Sequence, residues 1–443
     1  MASTRREFLL STALLALAPR LAAADTVLAE GVKDVQEEYG GPYQAPALRD
    51  RVARIGQRVA DAETGGTMRV AVDLIDSDRV NAVALPDGRI LVTRGLLALA
   101  RSEAEVAAVL AHEIGHVVAD HAKLRAQRAQ THPDIAGPSG EADFDQAQER
   151  QADRIGIEAM AAAGYDPGAA PAFLARLDAD HRLGAALAGR PELASAAANG
   201  ADHPETADRV AAARAQAAAL PGGESGEAEW LAATDGLPWG ESPGQIPFRG
   251  QAVIDPVARF RWDAPPGVAL MRQRRRVMAV GPDDSVILFD HLSQPGALPA
   301  RLYLERVWGK AVGGVRDVEA LDLGGFPAAR GRASLAGASG SWDVLMVMIE
   351  TSAERRDRFT VLTRAGSPAL GPGRAAVDSF RRIGAAEAAK VRPRRLAIAK
   401  VRPGDTAASL VGRMRVEAAE DRFRLLNDGD RPAPGSLVKL IVE

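Results

Sequence analysis

The sequence predicts an α+β protein of several domains whose first half is mainly helical. Residues 103–117 and 141–163 carry apolar side chains at three- and four-residue spacing, the period of a helix face. Met68–Leu74 and several runs between 277 and 362 instead alternate polar and apolar residues, the period of a half-buried strand. A length of 443 residues predicts about three domains at roughly 150 residues each. Hydrophobic content of 47% and charged content of 26% are those of a globular chain. The net charge of −3 argues against a nucleic-acid partner, and the absence of cysteine excludes both a disulfide framework and thiol catalysis.

Residues 1–24 read as a signal peptide. Arg5 and Arg6 precede an apolar run ending near Ala18, and Ala22-Ala23-Ala24 is a small-residue cleavage site that makes Asp25 the mature start. The paired arginines ahead of Phe8-Leu9 resemble a twin-arginine export signal, with an ordinary Sec signal as the alternative. Without a cysteine after that run there is no lipoprotein anchor. No later stretch reaches 18 apolar residues, so no transmembrane helix is expected in the mature chain.

Residues 27–62 read as helical. Met68–Leu74, Val80–Leu85 and Arg89–Thr93, the last two flanking the turn residues Pro86-Asp87-Gly88, predict a small antiparallel sheet. Ser102 with Glu105 has the form of a capping box, and Val106, Val109, Leu110, Ile114 and Val117 follow as a core-facing stripe. Residues 131–140, with two prolines and two glycines, are expected as a loop. Helix resumes over 141–163, with Gly164 as its stop, and again around 168–180 and 205–219.

The chemistry sits on the first two of these helices. His112-Glu113-Ile114-Gly115-His116 places two imidazoles four residues apart, on one helix face, where they can hold a single metal ion with Glu113 beside them as general base. Zinc accepts such nitrogen and carboxylate ligands, and its enzymes use three protein ligands with water in the fourth position. Glu149, on the next helix, is the expected third ligand. Asp153, on the same face, is placed to orient a ligating histidine through its other ring nitrogen. Ala152 and Gly156 are small enough to let that helix approach closely. His203, just before Pro204, is expected either to gate the metal from a fourth direction or to donate to a developing oxyanion, with Arg209 supporting the same charge. His121, His132, His181 and His291 have no partner spacing and read as surface or core residues.

H-E-x-x-H followed by Glu149-Arg150-Gln151-Ala152-Asp153 resembles the gluzincin metallopeptidases of family 48, the HtpX/BepA/Oma-like and CAAX-prenyl-protease-like group. Asn81-Ala82-Val83-Ala84-Leu85-Pro86 with Gly88–Leu97, and His203-Pro204 with Arg209, resemble two further blocks of that family, so the likeness spans about residues 30–220. It implies a zincin-type fold and an edge strand that pairs with an extended substrate, with Asn81 and Ala82 contacting substrate backbone. The expected reading is a periplasmic zinc endopeptidase, one zinc per chain, that hydrolyses misfolded or misassembled envelope proteins. The rivals are a peptidoglycan-associated peptidase and a chaperone or scaffold with a latent metal site.

The expected domains are the peptidase over 25–220, a linker over 221–247, an α+β accessory domain over 248–385 loosely similar to PsbP/Mog-type folds, and a module over 386–443. In the last, Val401–Thr406, Leu425-Leu426-Asn427, Pro434-Gly435 and Leu437–Val442 resemble a LysM module, with Ala407 departing from its pattern. That resemblance implies peptidoglycan as a partner, or else a degenerate module used for packing.

Overall fold

The computed structural model describes residues 41–443 apart from 86–87, 125–126, 128–137, 190–206, 243–244, 274–275, 282–284, 294–297, 338–339 and 367–370. The expected signal peptide and the residues to position 40 lie outside the described residues. The chain mixes helix and sheet, as an α+β protein does, and forms two compact units. Tyr39–Gly184, Glu192–Ser242 and Arg394–Glu443 make the first; Pro243–Pro393 is most of the second.

The first unit opens on helix α1 (Pro46–Thr64), with Pro46 in its first turn and Gly65 left-handed at its C-terminus (φ 62°). Leu48, Val52, Ile55 and Val59 recur on its buried face. Strands β1 (Ala71–Ile75), β2 (Ala82–Ala84) and β3 (Arg89–Thr93) follow, in the order β1-β3-β2. The sheet is mixed rather than antiparallel: β2 and β3 pair antiparallel, while β1 runs parallel to β3 along its other edge. Alternation in sequence marks strands but not their partners, and β1 reaches the far edge of β3 because β2 already covers the near one.

Helix α2 (Arg94–Leu99) leads to α3 (Glu103–Val118), the helix of the H-E-x-x-H motif. Ser102 Oγ accepts from Glu105 N at 3.1 Å, one half of the expected capping box. The other half is diverted, since the Glu105 carboxylate accepts from Arg101 N at 2.6 Å and from Arg176 Nη2 at 2.8 Å. Val106, Leu110 and Ile114 are fully buried. Helix α4 (Pro138–Ala162) begins earlier than expected, so Pro138–Gly140 belong to it and not to a loop; proline suits a first helical turn. Gly164 ends the turn after it with φ 82°. Helices α5 (Ala169–Leu187) and α6 (Ala207–Ala218) complete the expected set.

Helices α3 and α4 cross backbone to backbone. A Cβ on Gly115 would stand 2.8 Å from the carbonyl oxygen of Ala152, and one on Gly156 would stand 2.9 Å from both the carbonyl carbon of Ala111 and the nitrogen of His112. Only glycine fits at either point. The expected close approach is therefore real, and Gly115, inside the motif itself, is half of it.

Residues 221–242 are not a linker. Helix α7 (Glu227–Thr234) buries Trp230 completely, with its Nε1 donating to Ala100 O at 2.8 Å. Strand β4 (Pro238–Trp239) pairs with β5 (Arg394–Lys400). Gly and Pro punctuate this stretch because it turns sharply, and the apolar Trp230-Leu231 pair between them anchors it.

After β5 come α8 (Ala407–Val411), α9 (Ala419–Asn427) and β6 (Leu437–Val442), which closes antiparallel on β5. Leu396, Val401, Leu410, Phe423, Leu426 and Leu440 share one core with Leu96, Leu97, Val106 and Leu110. The last fifty residues are thus packed into the core of the first unit.

The second unit is a seven-stranded antiparallel sheet built from residues 269–364, beside a four-stranded sheet that draws on Phe248–Asp263 and Arg381–Arg382. Phe260, Trp262, Phe289, Phe359 and Phe380 form its aromatic centre, with Phe289 and Phe359 centroids 4.7 Å apart. A helix over Gly371–Asp378 is followed by buried Phe380, which leads into a short strand. No helix among the described residues is long and apolar enough to cross a membrane.

Candidate metal centre

The glycine-mediated crossing brings Glu149 of α4 to the two histidines of α3. His112 Nε2 and His116 Nε2 lie 3.0 Å apart. The Glu149 carboxylate meets both, at 3.2 Å from His112 Nε2 and 3.3 Å from His116 Nε2. Ligands about 2.0–2.1 Å from a tetrahedral zinc ion stand about 3.3 Å from one another, so these separations are those of a ligand set. All three candidate ligand atoms lie within 4.8 Å of each other.

The charges around them also suit a cation. His112 Nδ1 stands 3.0 Å from Asp153 Oδ1. Arg209 Nε and Nη2 grip Asp153 at 2.8 Å each, and Arg209 Nη1 reaches Glu149 Oε2 at 3.1 Å. Burial pulls the His112 pKa down, but hydrogen bonding and charge from Asp153 and Glu149 outweigh it and raise it to about 9. Burial pushes Asp153 up, but Arg209 and His112 hold it near about 2. The pocket is one in which two carboxylates draw positive charge onto His112, and a metal ion would supply that charge directly. The residues fit the group.

Glu113 is buried on the same turn, and its Oε2 accepts from Ala84 N at 2.8 Å. The ladder explains that contact. Thr93 N donates to Asn81 O at 3.0 Å and Leu85 N to Arg89 O at 2.7 Å, so Asn81, Val83 and Leu85 face β3 while Ala82 and Ala84 present their N–H groups to the open edge. Asn81 Oδ1 accepts from Ala82 N at 2.9 Å. Asn81 and Ala82 therefore lie on an edge strand whose next outward donor touches Glu113.

Arg209, expected to support an oxyanion, has a side chain 3% exposed, with donors that reach Asp153 and Glu149. His203, with its expected gating or oxyanion role, lies outside the described residues. His121, expected as a bland surface or core residue, is buried against the site, with its Nδ1 2.8 Å from His116 Nδ1. On an unbroken helix, five residues carry a side chain about 140° around the axis, away from His116. Asp120 is left-handed at φ 55° and turns the chain back. An Asp after two small-to-medium helix-end residues was the one available signal for that break.

Residues 46–136 match the model of peptidase family M48. The chain therefore carries a peptidase M48 domain. Among curated relatives, a putative beta-barrel assembly-enhancing protease of Vibrio cholerae is 28% identical over 204 residues, 40% of this chain and 40% of the relative. The mitochondrial metalloendopeptidase OMA1 of Schizosaccharomyces pombe is 30% identical over 182 residues, 36% of this chain and 53% of the relative. Its Arabidopsis thaliana namesake is 37% identical over 120 residues, 24% of this chain and 25% of the relative. The matched stretch thus spans from about a quarter to about half of these relatives' lengths. A solution structure of cyanobacterial PsbP from Synechocystis covers 32% of this chain and 98% of that one at 12% identity, with a TM-score of 0.25, too slight a likeness to build on.

Proposed function

We propose that this protein is a zinc-dependent endopeptidase of the cell envelope that cleaves misfolded or misassembled proteins. The observation that carries the reading is the convergence of His112 Nε2, His116 Nε2 and the Glu149 carboxylate beside Glu113, on a strand edge left open for a peptide. One zinc per chain, held by His112, His116 and Glu149, would supply a Lewis acid that acidifies water and polarises the scissile carbonyl. The chain's own residues do the rest. Asp153, clamped by Arg209, orients His112 so that Nε2 faces the site. An extended substrate adds to β2 by main-chain pairing with Ala82 and Ala84, taking over the N–H groups held by Asn81 Oδ1 and Glu113 Oε2 in the free chain, a grip indifferent to side-chain sequence and suited to unfolded chains. Glu113 Oε2 takes the proton from attacking water and passes it to the leaving amine. Envelope quality control rests on the relatives named as beta-barrel assembly-enhancing proteases and on the export signal expected over residues 1–24. The periplasm and the twin-arginine route are part of the same proposal. The LysM-like tail is read as a packing element, because its core side chains are already inside the peptidase unit.

The deciding experiment incubates purified mature protein with unfolded casein, with and without a chelator and with zinc restored, alongside Glu113→Gln. Chelation should abolish cleavage and zinc restore it. The Glu113→Gln variant should keep its zinc and lose at least about 10²-fold in rate. Casein cleavage untouched by both treatments would overturn the reading.

A further inference from the structure

The two imidazoles of the H-E-x-x-H motif are supported in different ways. His112 has a carboxylate behind it, Asp153, at 3.0 Å. His116 has another imidazole: its Nδ1 lies 2.8 Å from His121 Nδ1, with ring centroids 4.8 Å apart and planes at 75°. His121 is 1% exposed, and its Nε2 faces Gln151 Oε1 at 3.4 Å. Gln151 lies on α4, two residues from Glu149, so the chain from His116 through His121 returns to the helix that carries the third ligand.

Tautomers follow from donor bookkeeping. A neutral imidazole carries one N–H and one bare nitrogen. Both motif histidines turn Nε2 toward Glu149, so a metal-binding His116 must leave Nε2 bare and hold its proton at Nδ1. That Nδ1–H needs an acceptor, and the atom it meets is His121 Nδ1. His121 must then carry its own proton on Nε2, where it donates to the Gln151 carbonyl oxygen. The two imidazoles thus share one set of tautomers, and reversing either alone places two donors or two acceptors face to face.

We propose that His121, fixed by Gln151, is a positioning residue for the metal site: it holds His116 in the tautomer and ring orientation that present Nε2 to the ion. This rests on the zinc reading above. The partner of a metal-ligating histidine, when lost, typically costs 10–100-fold in metal affinity. His121 contacts His116 and Gln151, and it acts on the site through His116.

The test compares His121→Leu with His121→Asn, side chains of nearly the same shape that differ in whether an acceptor stands near the Nδ1 position. Zinc dissociation constants are read by competition with a chromogenic chelator, and bound Co²⁺ by its visible absorption, on the full mature chain. Melting of the metal-free forms is recorded in parallel. His121→Leu should weaken zinc by about 10–100-fold and alter the Co²⁺ spectrum, and His121→Asn should recover most of that loss. Gln151→Ala, on an exposed face, should weaken zinc less, in the same direction. Equal zinc affinity in Leu, Asn and wild type would overturn the proposal and leave the metal site standing. Equal weakening in Leu and Asn, tracking a fall in metal-free melting temperature, would also overturn it by making His121 a packing residue. A wild-type chain that binds no zinc would remove the reading on which both rest.

Discussion

The main-chain N–H of Ala84 donates to Glu113 Oε2 across 2.8 Å, joining the open edge of β2 to the carboxylate beside the two motif histidines. The donor that orients the base is thus one that a bound peptide would also meet. Ala84 N takes no part in pairing with β3, so proline at this edge position deletes the donor and spares the ladder. A hydrogen bond to a charged group is worth about 1.5–3 kcal/mol. Ala84→Pro should lower kcat/KM on casein-derived peptides by roughly 10–100-fold, with zinc content unchanged. Wild-type kinetics in this variant would separate β2 from the chemistry.

Close crossing of α3 and α4 is what gathers the ligand set. Gly115→Ala and Gly156→Ala each drive a methyl group against main-chain atoms at 2.8–2.9 Å, with no flexible side chain there to yield. The helices must part, at a cost of about 1–3 kcal/mol for an overpacked contact. Because Glu149 rides on α4 and the histidines on α3, zinc affinity should fall in both variants. A chelator competition showing native affinity in either would mean that the site tolerates separation of its helices.

Much of this was legible from spacing. His112, His116, Glu149 and Asp153 sit on helices at four-residue intervals, and an interval of that kind fixes a common face before any tertiary contact is known. Gly156 and Ala152 could be read as an approach point for the same reason. What spacing cannot supply is a partner across the fold. Arg209 was visible as a charge, but its bond to Asp153 depends on where α6 docks. His121 was hidden because one left-handed residue, Asp120, breaks the helical count on which its dismissal relied. Trp230 sat among glycines and prolines that read as a linker. The parallel pairing of β1 with β3 and the core shared by Leu96 and Leu440 are choices of partner between strands and surfaces that the local pattern leaves equal.

Arg209, Asp153 and Glu149 form a buried charge cluster, with side chains 3%, 12% and 3% exposed. Removing the cation from such a cluster leaves the two carboxylates with His112 alone to compensate them, and breaking a buried pair costs about 3–5 kcal/mol. Arg209→Met should therefore destabilise the metal-free protein by about that amount. Zinc returns positive charge to the same carboxylates and stabilises only the folded chain. The loss should accordingly be smaller in urea unfolding at saturating zinc than in chelator. An equal loss in both would show that Arg209 matters for packing and not for charge.

Lys439 tests the tie between the C-terminal strand and the peptidase core. Its fully buried Nζ donates to Ala98 O at 2.7 Å and to Ala100 O, at the C-terminal end of α2. Burial lowers its pKa from 10.5 to about 7; nearby Glu105 and Asp428 oppose that fall, and Arg176 and Arg101 add to it. The sign follows from proton counts. Between about 7 and 10.5 the unfolded chain keeps a proton that the folded chain has given up, so raising the pH through this window favours the folded state. Below about 7 both forms are charged, and above about 10.5 both are neutral, so the effect stops at each end. Methionine fills nearly the same volume without titrating. The urea midpoint of wild type should therefore rise between pH 7 and pH 10 relative to that of Lys439→Met, whatever the offset between the two proteins at pH 7. Parallel pH profiles would mean that Lys439 reaches water in solution, and that the strand carrying it is not held in the core as the fold places it.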